Sequence, residues 1–332
     1  MNRPVLAVTM GDPAGIGPEI CLKALNDPRV LGACTPVVIG NAQVLRTLAG
    51  RLRIPLNAQE FHPDDLDKTF VPTGPTIVDM HVIVLDDFTP GRVESVCGHA
   101  AYEYIAYAID RIQAGVFEGM VTGPINKEAL NAAGVRFPGH TEILETQTGS
   151  RDVVMMLYSP QVVVSMVSAH IPLRSAAQAV TRRRVGTVIR LTHKSLFRLL
   201  GHSPRLAALG LNPRAGEHGL FGDEESRAIV PAVEAAQADG ILVEGPLSPD
   251  TAFTPQSLDL YDGHVCMYHD QGLIPFKTLS FDEGVNVTLG TPIIRTSVGH
   301  GTAFDIAWQG KAKPDSLIAA ILLAAKLAGG QT

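Results

Sequence analysis

Short apolar runs rich in β-branched residues recur along the chain, and longer segments with a polar face separate them. Within most of these runs the apolar residues are continuous, which is typical of strands buried on both faces of a parallel sheet. The runs therefore predict buried parallel strands. The predicted strands are Pro4–Thr9, Pro36–Gly40, Met120–Thr122, Val153–Tyr158, Val162–Val167, Leu206–Leu211 and Val265–Tyr268.

The segments between the runs have the spacing of amphipathic helices. The clearest is Gly98–Gly115, in which Ala101, Ile105, Ala108 and Ile112 recur at helical spacing and the final glycine ends the helix. Strands that alternate with helices in this way predict an α/β fold with a mixed or mostly parallel sheet. The other predicted helices are Pro18–Leu25, Arg182–Leu200, Asp223–Ala238 and Asp315–Leu327.

The length and composition indicate a folded protein of considerable size. The chain has 332 residues, of which 45% are hydrophobic and 18% charged, and it contains 32 glycines and 23 prolines. These values exclude an intrinsically disordered chain and fit two domains or one large α/β unit. If the chain forms two lobes, the Pro-rich stretch Pro55–Pro75 and the loop Gly134–Gly139 are the predicted crossings between them.

Charge and cysteine content narrow the choice of partner and compartment. The net charge is −6, with 27 Lys and Arg against 33 Asp and Glu, which argues against nucleic acid as a partner. We interpret the short cluster Arg182–Arg184 as a solvated helix face. The four cysteines are scattered and form no CxxC pair, which indicates reduced, buried thiols and a cytoplasmic protein.

The apolar runs at the two ends of the sequence predict neither an export signal nor a membrane span. The first run ends at Asp12 and Pro13, so we interpret it as a buried strand rather than a signal peptide. The longest run near the C-terminus, Leu317–Ala325, breaks at Lys326 and is too short to cross a bilayer. We therefore expect no membrane partner.

A glycine-rich segment, Gly11–Glu19, follows the first predicted strand and opens the first predicted helix. Glycines in that position let backbone N–H groups approach an anion at a helix N-terminus, and Pro18 suits a first helical turn. The segment matches neither GxGxxG nor GxxxxGK(S/T), so it predicts no Rossmann or P-loop site. An anion-binding turn and a tight structural turn are both compatible with it.

Four histidines stand at polar positions that follow apolar runs: His140, His170, His269 and His300. In a parallel sheet the strand ends gather ligands, and imidazoles are common ligands of divalent transition metals. Each histidine alone is compatible with a structural role. Their shared setting favours a functional site.

The last third of the chain carries polar residues suited to an anionic ligand. An arginine fork or a lysine charge binds phosphate or carboxylate, and a nearby carboxylate serves an ammonium, a hydroxyl or a metal ligand. Spacing alone does not show whether these residues converge, and unrelated surface charges are the alternative. The residues are Asp250, Asp270, Lys277, Asn286 and Arg295.

A series of sequence segments is similar, in order, to the segments of one enzyme family. They are VTMGDPAGIGPEI, VTGPINKEALNAAGVRFPGHTE, SAHIPLR, GLNPRAGEHGLFGDEE, GPLSPDTAF, MYHDQGLIPFK, GVNVTLGTPIIRTSVGHGTAFDIA and the helical tail. Together they cover nearly the whole chain from Val8 onward. They resemble the 4-hydroxythreonine-4-phosphate dehydrogenase family (PdxA), including the related four-carbon sugar-acid phosphate dehydrogenases.

The resemblance implies an architecture and an activity. Residues 1–332 would form a single unit of two intertwined lobes in an α/β/α arrangement, similar to isocitrate and isopropylmalate dehydrogenases and not a Rossmann fold, with the active site in the cleft between the lobes. The protein would be a homodimer with site residues from both subunits. It would use NAD to oxidise and decarboxylate a phosphorylated four-carbon hydroxy acid. The first expectation is 4-phosphohydroxy-L-threonine, an intermediate of pyridoxal phosphate biosynthesis.

The sequence leaves other substrates and classes open. D-threonate or D-erythronate 4-phosphate of sugar-acid catabolism shares the phosphate, the carboxylate and the oxidised alcohol, and a diol dehydrogenase is a more distant relative. The phosphate acyltransferases have a similar two-lobed fold, but they do not need histidines in metal-like positions. A binding protein without catalysis is the remaining alternative, and the general acid or base is not identified.

By position, the resemblance assigns roles to individual residues. His170 and His269 match metal ligands, which implies a divalent Zn, Co, Mg or Mn ion. Asp250 and Asp270 match carboxylates that contact the substrate or support the metal ligands. The residues that match substrate contacts are His140, Thr141, Lys277, Asn286 and Arg295.

One position departs from the family pattern. The third metal-binding histidine of the family stands in NPHAGE, but this chain reads NPRAGE with Arg214, and a protonated guanidinium cannot ligate a metal. Three outcomes are compatible with this change. His218 swings in as the third ligand, the metal binds weakly through His170, His269 and a carboxylate, or Arg214 itself supplies the positive charge near the substrate. We expect a reduced affinity for metal.

Overall fold

The chain folds as two units, one of which is built from two separate stretches of sequence. The computed structural model describes residues 3–280 and 283–329. The first unit comprises Met1–Arg151 and Thr291–Thr332, and the second unit is the continuous stretch Asp152–Gly290.

The chain passes between the two units after Arg151 and after Gly290. The crossings predicted at Pro55–Pro75 and Gly134–Gly139 are wrong, because both stretches connect elements of the first unit. Their prolines, glycines and charges are those of surface connections within a unit.

The strands of the described residues are short. They are β1 (Val5–Thr9), β2 (Thr35–Gly40), β3 (Gln59–Phe61), β4 (Thr76–Asp79), β5 (Gly119–Thr122), β6 (Val154–Tyr158), β7 (Val163–Met166), β8 (Leu206–Leu209), β9 (Val243–Leu247), β10 (Gly263–Cys266), β11 (Val285–Leu289) and β12 (Arg295–Ser297).

The helices range from single turns to about five turns, and none within the described ranges is long and apolar enough to cross a membrane. They are α1 (Gly17–Ala24), α2 (Pro28–Ala33), α3 (Ala42–Leu52), α4 (Ser95–Gln113), α5 (Lys127–Ala132), α6 (His140–Thr148), α7 (Leu173–Ala179), α8 (Arg182–Leu200), α9 (Val230–Ala238), α10 (Pro255–Leu260), α11 (His269–Leu279) and α12 (Asp315–Gly329). Shorter helical turns lie at Pro63–Asp65, Leu85–Asp87, Pro213–Gly219, Glu225–Ile229 and Phe304–Ile306.

The strands of the first unit follow the order β3-β4-β2-β1-β5-β12 and are all parallel. Thr9 of β1 is paired with Thr122 of β5, and Thr122 is paired in turn with Ser297 of β12. Paired residues of parallel strands point to the same face. The three hydroxyl residues therefore form a polar row at the carboxyl ends of these strands, where the following loops carry functional side chains.

The strands of the second unit follow the order β11-β6-β7-β10-β8-β9. From β7 to β9 they are parallel, but β6 is antiparallel to both of its neighbours. The prediction of a parallel strand at Val153–Tyr158 is therefore wrong. The chain turns from β6 into β7 within residues 159–162, where the Ser159 N–H donates to the Val162 carbonyl at 3.0 Å, and so short a connection permits only an antiparallel pair.

The predicted elements are confirmed in type, with differences of a few residues at their ends. The α/β class is likewise confirmed. Five strands were not predicted: β3, β4, β9, β11 and β12. They are too short, or too rich in polar, Gly and Pro residues, to give an apolar run; β12 reads RTS and β9 reads VEGPL.

Helix α4 fixes the arrangement of the helices that carry functional residues in the first unit. It packs against β1, β2 and β5 and also against α5 and α6. A side chain at Gly98 would collide with the carbonyl oxygen of Ala129, so glycine allows α4 and α5 to approach closely. This contact determines where α5, with Lys127 as its first residue, lies.

The four cysteines are buried, free thiols, as the sequence predicts. Burial raises the pKa of Cys21 and of Cys34 to about 12. Because a thiol with so high a pKa stays protonated at neutral pH, these cysteines are packing residues rather than nucleophiles. They are Cys21, Cys34, Cys97 and Cys266.

Candidate functional site

His170 and His269 are brought together by the pairing of β7 with β10. The register pairs Met166 with Cys266, and it continues beyond the strands, because the hydroxyl of Ser168 donates to the Met267 carbonyl at 2.9 Å. The two chain segments therefore leave the sheet side by side. The rings of His170 and His269 lie with their centroids 5.7 Å apart at an angle of 46°.

His269, the first residue of α11, is oriented by its neighbour. Its Nδ1 lies 2.7 Å from Oδ1 of Asp270. An ionised carboxylate only accepts hydrogen bonds, so Nδ1–H is the donor, and in the neutral form of the ring Nε2 keeps its lone pair. This is the support that a metal-ligating or proton-accepting imidazole receives in proteins.

Gln271 ties the start of α11 to the end of β8. Its side-chain oxygen accepts from the Met267 N–H and its amide donates to the Gly210 carbonyl, both at 2.7 Å. Because this side chain is buried, the two bonds connect the segment that carries His269 to the chain that leads into Arg214.

The segment around Arg214 is a left-handed turn. Residues 214–218 all have positive φ, between 43° and 76°, a conformation that costs non-glycine residues about 1 kcal/mol or more each. The buried carboxylate of Glu225 stabilises the chain just before this turn. It accepts the N–H groups of Leu211 and Asn212 at 2.8 Å each and the side-chain amide of Asn212 at 3.0 Å.

The residues predicted at or near the third histidine position lie at the surface. Arg214 is exposed and pairs with Glu217 at 3.5 Å, and His218 is also exposed. Within residues 3–280 and 283–329, no three His, Cys, Asp or Glu side chains are grouped closely enough to hold a metal ion. Of the predicted ligands among these described residues, the structure brings together the pair His170 and His269, whereas a catalytic zinc site uses three protein ligands.

The other predicted residues of the second unit lie on separate elements. Asp250 follows β9 and accepts a hydrogen bond from the Ser248 hydroxyl at 2.7 Å. Lys277 is exposed on α11, seven residues after Asp270 and hence on the same helix face about 10 Å further along. Asn286 is half-buried on β11, opposite Leu157 of β6.

Arg295 is a buried arginine of the first unit. It is 3% exposed, and Thr122 accepts hydrogen bonds from its Nε at 3.2 Å and its Nη2 at 2.7 Å. Burial lowers the pKa of Arg295 to about 9, so the guanidinium remains charged at neutral pH. A guanidinium is planar and can bind a carboxylate or phosphate through two N–H bonds, which makes this residue a candidate for an anion-binding group.

His140 is the first residue of α6, and the residue before it, Gly139, makes no side-chain hydrogen bond that caps the helix. Its Nε2 is buried and makes no hydrogen bond to any described residue. Burial, and then the positive charges of Arg295 and Lys127, hold the pKa of His140 well below its usual value, so the ring is neutral. Thr141 follows His140 on the same helix turn. A buried polar atom without a partner, such as Nε2 of His140, is unusual. Such an atom is suited to a ligand.

The glycine-rich segment is a structural turn in this protein. Gly11 has a φ of +75°, and a side chain there would collide with the Pro124 carbonyl. Glu19 accepts hydrogen bonds from Lys23 at 2.7 Å and from the backbone of Ala312 at 2.8 Å. These contacts tie α1 to the loop before α12 and support the structural alternative.

Asp12, within that segment, is buried with Oδ1 accepting the Ala14 N–H at 2.9 Å. Burial raises the pKa of Asp12 to about 7. The fourth histidine of the predicted series, His300, is exposed in the first unit, with Nδ1 3.0 Å from the Gly301 carbonyl.

Sequence reasoning missed three residues that hold others in place, Thr122, Gln271 and Glu225, and also Lys127, whose charge acts on His140. Thr122 ends a short strand and Gln271 lies in a helix, so neither differs from an ordinary packing residue in sequence. Lys127 was within reach of prediction, because it opens a helix directly after the strand that ends at Thr122.

The model of the family described as "Pyridoxal phosphate biosynthetic protein PdxA" matches residues 32–324. The chain belongs to the PdxA family. Among similar members, D-threonate 4-phosphate dehydrogenase of Pectobacterium atrosepticum is 46% identical over 98% of this chain and 99% of its own. A 4-hydroxythreonine-4-phosphate dehydrogenase of Geobacter metallireducens is 44% identical over 98% of this chain and 96% of its own.

A solved member of the family shares the fold. The crystal structure of 4-hydroxythreonine-4-phosphate dehydrogenase from Klebsiella pneumoniae superposes with a TM-score of 0.86 at 44% identity, and covers 98% of both chains. The resemblance seen in the sequence is thus confirmed, and this protein is a dehydrogenase of the PdxA type.

Proposed function

We propose that this protein uses NAD to oxidise a secondary alcohol of a phosphorylated four-carbon hydroxy acid, and that the oxidised acid then loses CO₂. The observation that carries the proposal is the buried cation of Arg295 near the neutral His140, whose Nε2 is buried without a partner. A guanidinium fork binds carboxylate or phosphate, and a neutral imidazole exchanges a hydrogen bond or proton with a hydroxyl. Our first candidate substrate is 4-phosphohydroxy-L-threonine.

In this proposal the chain supplies binding, orientation and charge. Lys277, Asn286 and Arg295 bind the anionic groups of the substrate, while His140 and Thr141 contact its polar groups. NAD, when bound, accepts the hydride from the alcohol carbon, and the hydroxyl proton leaves to a base. The resulting ketone is β to the carboxylate, so the electrons of the bond between the carboxylate and the adjacent carbon can pass to the carbonyl oxygen when that bond breaks. CO₂ departs, the electron pair stays as an enolate, and a proton then completes the product ketone.

Nearby positive charge lowers the energy of the enolate. In the second unit, the Asp270 carboxylate accepts a hydrogen bond from Nδ1–H of His269 and thereby orients its ring. We assign His269 and His170 to the part of the site where the negative charge of the enolate develops and a proton is transferred. We assign Asp250 and Asp270 supporting roles in the same part of the site, and neither is assigned as the general acid or base.

The test is NADH formation by the purified protein, with 4-phosphohydroxy-L-threonine as substrate and divalent metal added. Turnover that depends on the phosphate supports the proposal, and the release of labelled CO₂ tests decarboxylation separately. If NADP replaces NAD with a higher kcat/KM, the assignment of the cofactor is wrong. If none of the phosphorylated four-carbon acids is oxidised, the whole proposal fails.

D-Threonate 4-phosphate is the second candidate substrate, and D-erythronate 4-phosphate belongs to the same class. The relative from Pectobacterium atrosepticum, at 46% identity, is named for the first of these. The candidates differ from phosphohydroxythreonine in having a hydroxyl in place of the amino group. Comparing kcat/KM for the three compounds decides between them, because a site built for one polar group discriminates against an analogue that leaves its partners unpaired.

We also propose that a divalent metal binds here more weakly than it would at a site with three histidines, because Arg214 occupies the third position. The expected result is a low metal content after purification and weak Zn²⁺ or Co²⁺ binding by calorimetry. Arg214→His should strengthen that binding at least tenfold, since a third imidazole is restored. The control Arg182→His lies on α8, outside the site. One tightly held equivalent of metal per wild-type chain would contradict the proposal.

We further propose that the protein is a homodimer. Three large apolar side chains of the second unit are strongly exposed, with Leu173 at 72%, Leu220 at 71% and Ile274 at 66%. A second copy of the chain would cover them. Sedimentation equilibrium should give a dimer for the wild type and a monomer for the double variant Leu173→Asp, Leu220→Asp. The control Val71→Asp, at an exposed position of the first unit, should remain dimeric. The prediction of a shared active-site cleft stays a prediction.

A further inference from the structure

Thr122 holds one edge of the Arg295 guanidinium. The strand register pairs Arg295 with Met120 and Ser297 with Thr122, so Thr122 lies two residues beyond the position opposite Arg295 and on the same face. The arginine side chain must therefore run along the strands toward the carboxyl end of β5. There it donates Nε–H and Nη2–H to the single hydroxyl oxygen, at 3.2 and 2.7 Å.

Two hydrogen bonds to one edge constrain the direction of the whole group. The guanidinium is planar and rigid, so holding its Nε and Nη2 fixes where the remaining N–H bonds point. Thr122 is itself fully buried on β5, which leaves its hydroxyl little freedom to move. Valine has almost the same shape without the acceptor, and would leave two donors of a buried cation without this partner.

We infer that Thr122 is a positioning residue for substrate binding, which aims the Arg295 guanidinium at an anionic group of the substrate without touching the substrate itself. The inference rests on the proposed function, in which Arg295 binds that group. The inference adds Thr122 to that function, as a residue whose hydroxyl, rather than its size, matters for substrate affinity.

The experiment compares three variants in steady-state kinetics. Thr122→Val should raise KM for the phosphorylated substrate about tenfold, while kcat falls less than threefold, since hydrogen bonds to a charged group contribute on this scale. Thr122→Ser keeps the hydroxyl and should restore KM to within about threefold of the wild type. The matched control is Thr296→Val on β12, a buried threonine whose hydroxyl donates to the Ala320 carbonyl at 2.8 Å, and it should leave KM unchanged.

A coupling measurement separates positioning from a loss of stability. In an Arg295→Lys background, adding Thr122→Val should change KM less than twofold, because the planar group to be oriented is already gone. A tenfold rise that persists in this background would overturn the inference. So would equal rises in KM for Thr122→Val and Thr296→Val. If Thr122→Val does not fold, Thr122→Cys, with a poorer acceptor of similar size, replaces it with the same expected rise.

A second readout does not depend on turnover. The Nε–H of Arg295 should exchange with solvent at least tenfold faster in Thr122→Val than in the wild type, as measured by NMR of the arginine side chain. If the wild type oxidises none of the phosphorylated acids, the proposed function fails, and this exchange rate alone then decides whether Thr122 anchors Arg295. An unchanged rate would refute the anchoring itself.

Discussion

At the scale of single residues, the surroundings of two histidines, the half-buried His140 and the buried His264, favour the neutral form of each ring. His140 is held neutral by burial and by two cations, Arg295 and Lys127. His264, on β10, is buried against Phe253 with ring centroids 4.8 Å apart, and burial lowers its pKa. Each of these effects can be measured separately.

Removing the charge of Lys127 should raise the pKa of His140. In Lys127→Met one of the two neighbouring cations is lost, so protonation of the ring costs less. An NMR titration of the His140 ring measures the change. The exposed Lys68, whose charge is not among those acting on His140, provides the control Lys68→Met. Equal shifts in both variants would mean that Lys127 does not act on His140 directly.

His264 should make the protein less stable in mild acid. Its pKa in the folded state lies below the ordinary 6.5, so the unfolded chain binds a proton that the folded chain refuses. This contribution to stability is complete above pH 6.5 and is lost as the pH falls toward the folded pKa, by up to about 1.4 kcal/mol per pH unit.

The variant His264→Phe should remove that part of the acid dependence, because phenylalanine takes no proton. Urea unfolding at several pH values between about 5 and 7.5 gives the free energies. His202 is exposed, and His202→Phe should leave the dependence as it is in the wild type. A slope unchanged by His264→Phe would show that other groups cause the acid sensitivity.

At the scale of elements, the pairing of strands decides which loops meet. The contact between His170 and His269 follows from the pairing of β7 with β10, and the Gln271 side chain adds the end of β8 to the same region. The left-handed turn of residues 214–218 depends instead on one carboxylate. Glu225 accepts three hydrogen bonds from Leu211 and Asn212, which lie just before this turn.

Glu225→Ala should lower the free energy of unfolding by about 2–4 kcal/mol, because two backbone N–H groups lose their charged acceptor. Hydrogen exchange should increase at residues 211–219 before it increases elsewhere in the second unit. The exposed Glu234 on α9 gives the control, and Glu234→Ala should change stability by less than about 0.5 kcal/mol. If the two variants were equally stable, the turn would have another support.

At the scale of the whole molecule, the chain order distinguishes the two units. The second unit is continuous and contains its own core, in which Leu157, Val164, Met166, Leu209 and Phe276 pack together. The first unit needs β12 and α12, which come after the second unit in sequence. The two units should therefore differ when they are made separately.

A fragment of residues 152–290 should unfold cooperatively on heating, whereas a fragment of residues 1–151 should not. The shorter N-terminal fragment lacks the strand that pairs with β5 and the helix that packs on β1, β5 and β12, so buried apolar surface and backbone groups would be exposed. Circular dichroism during heating measures both. Cooperative unfolding of residues 1–151 would contradict this account of the first unit.

The sequence by itself determined the α/β class, the principal strands and helices and the family. Periodicity and apolar runs are local properties, and a segment such as β1 or α4 carries enough of them to be recognised alone. Short strands such as β12, which carries Arg295, lack that signal. The residue types of the candidate site were also visible, because the chemistry of histidine, lysine and arginine does not depend on the fold.

Only the tertiary structure decided which of those residues meet. Strand register placed Thr122 under the Arg295 guanidinium and His170 beside His269, while His218 stayed exposed outside that pair. It also made β6 antiparallel and moved the crossings between units to Arg151 and Gly290. These features depend on pairings between residues far apart in sequence, and burial, which sets the pKa of His140 and Arg295, exists only once those pairings have formed.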